Sequence, residues 1–115
     1  MLVFVSSPYA GDIERNVDAA RSYCRFVVKA EHTPIAPHLL FPQFLDDDDP
    51  EERKAGMEMG LELLDLCSEL WSFGEPSAGM KEELRYATEK FIPIRLFPAM
   101  PEETIPGLPE RKDTV

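Results

Sequence analysis

Apolar residues along this chain follow two rhythms: short unbroken runs, and longer stretches in which they recur every three or four positions. Leu2 to Ser6 is the first short run, closed by the turn-forming Ser7-Pro8-Tyr9-Ala10-Gly11, and it reads as a buried strand. Asp12 can cap the next segment, where Ile13, Val17, Ala20, Cys24, Val27 and Val28 fall on one helical face. Thr33 to Ala36 predicts a short second strand, with Pro34 favouring a strand start or an edge. The loop over 37–45 is apolar for a loop, so it is expected to fold back over the domain or cover a site. Asp49-Pro50-Glu51-Glu52 starts a helix, which runs to about Leu66 with Ala55, Met59, Leu63 and Leu66 on one side. Leu70 to Phe73 is a third strand, Ser77 to about Lys90 a third helix, and Phe91 to Phe97 a fourth strand interrupted by Pro93. Residues 98–115 are proline-rich and without period, and are expected to form an extended or partly disordered tail after a domain over 1–97.

The strand–helix alternation predicts an α/β fold: a four-stranded, mainly parallel sheet in the order 2-1-3-4, with helices near 12–30, 50–66 and 77–90 on both faces. Ligands of such sheets bind at the carboxyl ends of the strands, where the order reverses. That point lies between the first and third strands. It brings Ser6-Ser7-Pro8-Tyr9 together with Gly74 to Met80, two turns far apart in the chain.

Charge and composition narrow the function. The net charge of −10 argues against a nucleic-acid polymer, whose binding rests on Lys and Arg neutralising phosphates, while leaving room for one small anionic ligand. No apolar run is long enough for a membrane span, and Met1 to Val5 lacks the pattern of a signal peptide, so a cytoplasmic location is expected. Cys24 and Cys67 sit in helical patterns without metal-ligand spacing and read as reduced core thiols. Asp46 to Asp49 lacks the glycine and spaced acids of a calcium loop and reads as a solvated linker and cap.

Candidate chemistry centres on the third helix, whose start offers free N–H groups to an anion. Met80, Leu84, Ala87 and Phe91 mark its core face. With about 100° of rotation per residue, Glu83 lies about 70° from the centre of that face, at its border, whereas Glu82 lies on the far side. Glu83 is therefore the carboxylate placed to enter a crevice. Tyr9 either lines a sugar or base pocket or packs over the strand end. His38 either contacts a ligand or serves the structure. Asn16 either holds the loop or reaches the site. Trp71 reads as core, His32 as a helix-end residue, and Arg53 as a solvated arginine or a phosphate partner.

The segment Pro76 to Leu84 after a strand resembles the nucleophile motif of the nucleoside 2-deoxyribosyltransferase-like superfamily. Together with Ser6-Ser7-Pro8-Tyr9, Asn16, Pro34 to His38 and Trp71 to Gly74, it is similar to a small branch related to the deoxynucleoside 5′-monophosphate N-glycosidases, over roughly residues 2–96. The resemblance implies a flavodoxin-like three-layer fold, no metal or organic cofactor, a nucleoside or nucleotide substrate, and a homo-oligomer, dimer or larger. By it, Glu83 is the nucleophile that attacks the anomeric carbon, and Ser77 contacts the phosphate or 5′ end. Gly79 and Met80 can add helix-end N–H groups, and Ser7, Pro8, Tyr9 and Asn16 line the substrate side. The chain departs from the family at Gly60, nearest the place of an aspartate that assists base departure. His38 is the substitute donor within reach of neutral-pH titration. The implied activity is N-glycosidase or deoxyribosyltransferase; the alternative is a module that binds a nucleotide-like metabolite in the same crevice without turnover.

Overall fold

The Leu-Val-Phe-Val run near the N-terminus becomes an inner strand of a sheet, buried on both faces. The computed structural model describes residues 1–99. Strands β1 (Leu2–Ser6), β2 (Thr33–Ile35), β3 (Glu69–Phe73) and β4 (Ile94–Phe97) pair in the order β2-β1-β3-β4. All three pairings are parallel, so the expected order holds and the sheet is parallel throughout. Helices α1 (Ile13–Lys29), α2 (Pro50–Asp65) and α3 (Ala78–Glu89) form the crossovers. From residue 100 onward, the segment expected as a tail lies outside the described residues.

Alternation along the strands separates two cores. Val3, Val5, Trp71 and Phe73 face α1 and pack with Tyr23 and Val27. Tyr23 stacks on Phe73 at 4.2 Å, and Phe73 on Phe97 at 4.9 Å. On the other face, Phe4 and Leu70 pack with Leu64 and Cys67 from the α2 side and Ala87 of α3. Trp71 is therefore core, and both cysteines are free thiols.

The helix faces differ in detail from the apolar stripes. The buried side of α1 centres on Ala20, Tyr23 and Val27, while Ile13 and Val28 are exposed at its margins. On α2 the buried positions are Gly60 and Leu64, continued by Cys67, and Leu66 is 67% exposed. The Ala55-Met59-Leu63-Leu66 stripe is rotated away from them because two glycines on the inner side carry no hydropathic signal. On α3, Met80, Glu83 and Ala87 are the buried residues. Phe91 is not part of that face: it follows the helix in the left-handed region at φ 59° and is 92% exposed. The fourth strand accordingly begins only after Pro93.

Three helix starts use the caps their sequences offer. Asp12 accepts from the Arg15 N–H, and Asp49 from those of Glu51 and Glu52. Ser77 Oγ accepts from the Met80 N–H at 3.3 Å. The apolar 37–45 segment forms two 3-10 turns, Pro37–Leu39 and Phe41–Gln43, and folds back over the carboxyl end of the sheet.

Candidate active site

A cavity of about 240 Å³ opens where β1 and β3 end, beside the start of α3. Small-molecule pockets start near about 300 Å³, so this one suits a single small ligand that keeps one side in solvent. Glu83 stands in its wall, only 5% exposed. Gly79, one helical turn earlier on the same face of α3, leaves the approach to it open. Ser6 Oγ donates to Glu83 Oε1 at 2.6 Å, joining the end of β1 to the second turn of α3.

Burial dominates the charge state of Glu83. Desolvation lifts its carboxyl from an ordinary 4.5 to about 7, against the opposing pull of the Ser6 hydrogen bond. Near neutral pH the group is thus divided between carboxylate and acid. The neighbouring Glu82 lies on the solvent side and pairs with Arg85, which also meets Glu89 at 2.7 Å.

Tyr9 and His38 line the same cavity, with ring centroids 5.3 Å apart and planes tilted by 44°. Burial lowers the proton affinity of His38, while a hydrogen bond to the Ser7 backbone and the charge of Asp47 push it upward. The Tyr9 hydroxyl is held in its protonated form by desolvation and by Asp47 and Asp48. On α2, Gly56 and Gly60 face the cavity. A Cβ at Gly60 would come no closer than 3.9 Å to Pro37, and one at Gly56 would meet Leu45 Cδ1 at 3.5 Å, so the protein itself leaves room for a Cβ at both. Arg53 lines the cavity with Asp47 and Glu52. Among the described residues no cluster of His, Cys, Asp and Glu could hold a metal ion; within the Asp46 to Asp49 run, Asp46 accepts from the Asp48 N–H and Asp49 caps α2.

Residues 1–97 match the family described as a domain of unknown function, DUF7768. The chain belongs to this family. Among curated proteins no relative matches it in sequence. Among solved structures, this DUF7768 chain is similar to a 2-deoxyribosyltransferase from the psychrotolerant bacterium Bacillus psychrosaccharolyticus, with a TM-score of 0.67 and 17% identity over 85% of this chain and 72% of that one. At that identity the likeness is one of fold, and it agrees with the parallel 2-1-3-4 sheet.

Of the candidate site residues in this DUF7768 member, Glu83, His38, Tyr9, Ser77 and Gly79 come together around one cavity. Ser7, Pro8, Asn16 and Met80 do not line it. Ser7 is buried and meets His38 through its backbone. Pro8 is half-buried between Ser7 and Tyr9. Asn16 Nδ2 donates to the carbonyls of Tyr9 and Ala10, each at 3.0 Å, so it fixes the turn that presents Tyr9. Met80 is fully buried in the domain, and its N–H is already taken by the Ser77 cap, which leaves Ala78 and Gly79 as the helix-start residues facing the cavity. His32 packs edge-on against Trp71 at 5.8 Å, away from the site.

Sequence reasoning missed Ser6 as the partner of Glu83. The signal was present: alternation from Phe4 puts Ser6 on the α2/α3 face, at the strand end nearest the third helix. It also missed Gly56, whose place on the cavity wall no hydropathy pattern marks.

Proposed function

We propose that this protein cleaves the N-glycosidic bond of a nucleoside, a nucleotide or a related base–sugar compound, with Glu83 as nucleophile. The observation that carries this reading is a carboxylate almost wholly withdrawn from water yet bordering an open cavity, held by Ser6 at 2.6 Å. Desolvation makes such a group a stronger nucleophile than a hydrated one, and the single hydrogen bond orients it. A Glu83 oxygen attacks the anomeric carbon as the bond from that carbon to the base nitrogen breaks. The electron pair leaves with the base, which then takes up a proton. Water, giving up a proton, or a second base next attacks the same carbon and releases the carboxylate, giving hydrolysis or transfer. Ser77 and the exposed start of α3 support a role in holding the 5′ end or its phosphate. Tyr9 and His38 offer ring surface to the base.

The proton for the departing base is the demanding step. His38 has lowered proton affinity and is engaged with the Ser7 backbone, so at neutral pH it is a weak source. Gly60 offers no acid. These two facts favour the second reading, a module that binds a nucleotide-like metabolite without turnover.

Incubation with a nucleoside and nucleotide panel, with and without an acceptor base, separates them. The enzyme reading expects free or exchanged base, its loss in Glu83→Gln, and a glycosyl adduct on Glu83 by mass spectrometry. Binding without base release is the outcome of the sensor reading. Turnover requires the carboxylate form, so the rate should climb with pH through about 7. We further propose a cytoplasmic homo-oligomer, dimer or larger, supported by exposed Leu40 and Phe44 on the apolar segment beside the cavity; light scattering showing only monomer at micromolar concentration would reject the assembly. Among the described residues no helix is long and apolar enough to cross a membrane.

A further inference from the structure

Glu83 rests against the end of the sheet, where the last residue of β1 and the last but one of β3 are serines. Ser6 closes β1 and donates to the carboxylate. Ser72 is the Cα partner of Ser6 across the parallel β1–β3 ladder. Residues paired in this way point to the same face, and Leu70, two positions earlier, lies in the α2/α3 core with Phe4 and Ala87. The Ser72 hydroxyl therefore opens on the side of the sheet that carries Glu83. Ser72 is 2% exposed, and its Oγ has no hydrogen-bond partner. Buried hydroxyls are almost always satisfied, so an unpaired one, on the sheet face that carries Glu83 and across the ladder from its partner Ser6, calls for an explanation.

We propose that Ser6 and Ser72 form a paired hydroxyl seat for Glu83, in which Ser72 is a positioning residue that turns to donate to the carboxylate when it is charged. The chemistry suits the pair. An ionised carboxylate accepts at both oxygens, and Ser6 supplies one donor only. A hydroxyl rotor reorients without moving the backbone, and a hydrogen bond to a charged acceptor is stronger than one to a neutral acid. The seat thus holds the attacking oxygens toward the cavity in the reactive form and relaxes in the acid form. The other titratable or charged groups sharing the cavity are Tyr9, His38, Asp47, Glu52 and Arg53, and the variants below leave all of them in place. The role in attack rests on the proposed function; the seat itself does not.

The test is a carbon-13 NMR titration of the Glu83 carboxyl in the free protein, for the native chain, Ser6→Ala, Ser72→Ala and Ser72→Thr. Removing either hydroxyl should raise the midpoint by about half a pH unit or more, an approximately threefold loss in the ratio of ionised to neutral Glu83 at fixed pH. Ser72→Thr, which keeps the hydroxyl, should return it to the native value. If turnover is found, the acid limb of kcat should move with the midpoint while KM stays put. A native midpoint in folded Ser72→Ala overturns the seat whatever the turnover, because a merely structural serine would alter stability and not this titration. Should Ser72→Ala fail to fold, Ser72→Cys replaces it under the same criterion, since a thiol is a poor donor of similar size. Absence of base release in the native protein would instead sink the proposed function and leave the titration to judge the seat.

Discussion

Replacing Glu83 by Gln removes a titrating carboxyl while keeping its shape and an oxygen that can accept from Ser6. In the folded chain the carboxyl sits at about 7 rather than the ordinary 4.5, chiefly through desolvation. The folded state therefore binds more protons than the unfolded one between those two values, and stability must fall as pH rises through that window. The contribution is fully present below about 4.5 and is lost above about 7. A rise from 4.5 to about 7, at about 1.4 kcal/mol per pH unit, amounts to about 3 kcal/mol. For a domain of this size that is a large share of the total, since net stabilities run about 5–15 kcal/mol. Urea unfolding of both proteins at a series of pH values from 4 to 8 measures it. Other carboxylates titrate equally in both chains, so the difference curve isolates Glu83. Glu83→Gln should gain on the native protein from pH 4.5 upward and level off above 7, with a span of about 3 kcal/mol. A flat difference across that range would show that Glu83 is well solvated, and the reasoning from burial would fail.

Other expectations follow from individual contacts. Ser77→Ala removes the α3 cap and should lower stability by about 1 kcal/mol in urea unfolding, because the Met80 N–H loses its acceptor. Phe73→Ala empties the centre of the Tyr23–Phe73–Phe97 stack and should destabilise by about 3–5 kcal/mol, read from the same unfolding curves. Asn16→Ala frees the Tyr9–Ala10 turn and should weaken nucleotide binding in calorimetry while leaving the Glu83 titration unchanged. Glu82→Ala breaks only exposed pairs with Arg85 and should leave both turnover and melting temperature within error of the native protein.

The fold was legible where the chain is locally consistent. Leu2 to Ser6 and Leu70 to Phe73 are apolar runs between turn residues, and burial on both faces needs nothing more to identify them. The strand–helix alternation then leaves few topologies, and the parallel 2-1-3-4 order is one of them. The choice of Glu83 over Glu82 was equally a matter of helical rotation, and the two fall on opposite sides of burial. What sequence patterning obscured was the inner face of α2. A wall built from glycine has no hydropathy, so the Met and Leu stripe beside it drew the eye. Phe91 misled for a related reason: its apolarity extends the α3 pattern, but the chain has already turned through a left-handed residue. The 3-10 turns of residues 37–43 were invisible as elements because their form depends on what they cover.

The glycine wall has a bearing on how such a domain changes over generations. A helix with Gly at two interior positions gives up about 1 kcal/mol at each relative to Ala, and the gaps at Gly56 and Gly60 show that no neighbouring atom demands it. Either position can therefore take a Cβ with the backbone left where it is. A glycine codon becomes that of an acid, alanine, valine or arginine by one base change. The alanine step would add a methyl group to the cavity wall and make α2 a stronger helix in the same stroke. Under the proposed function, an open wall for the ligand and a stiffer α2 are competing demands at these two sites.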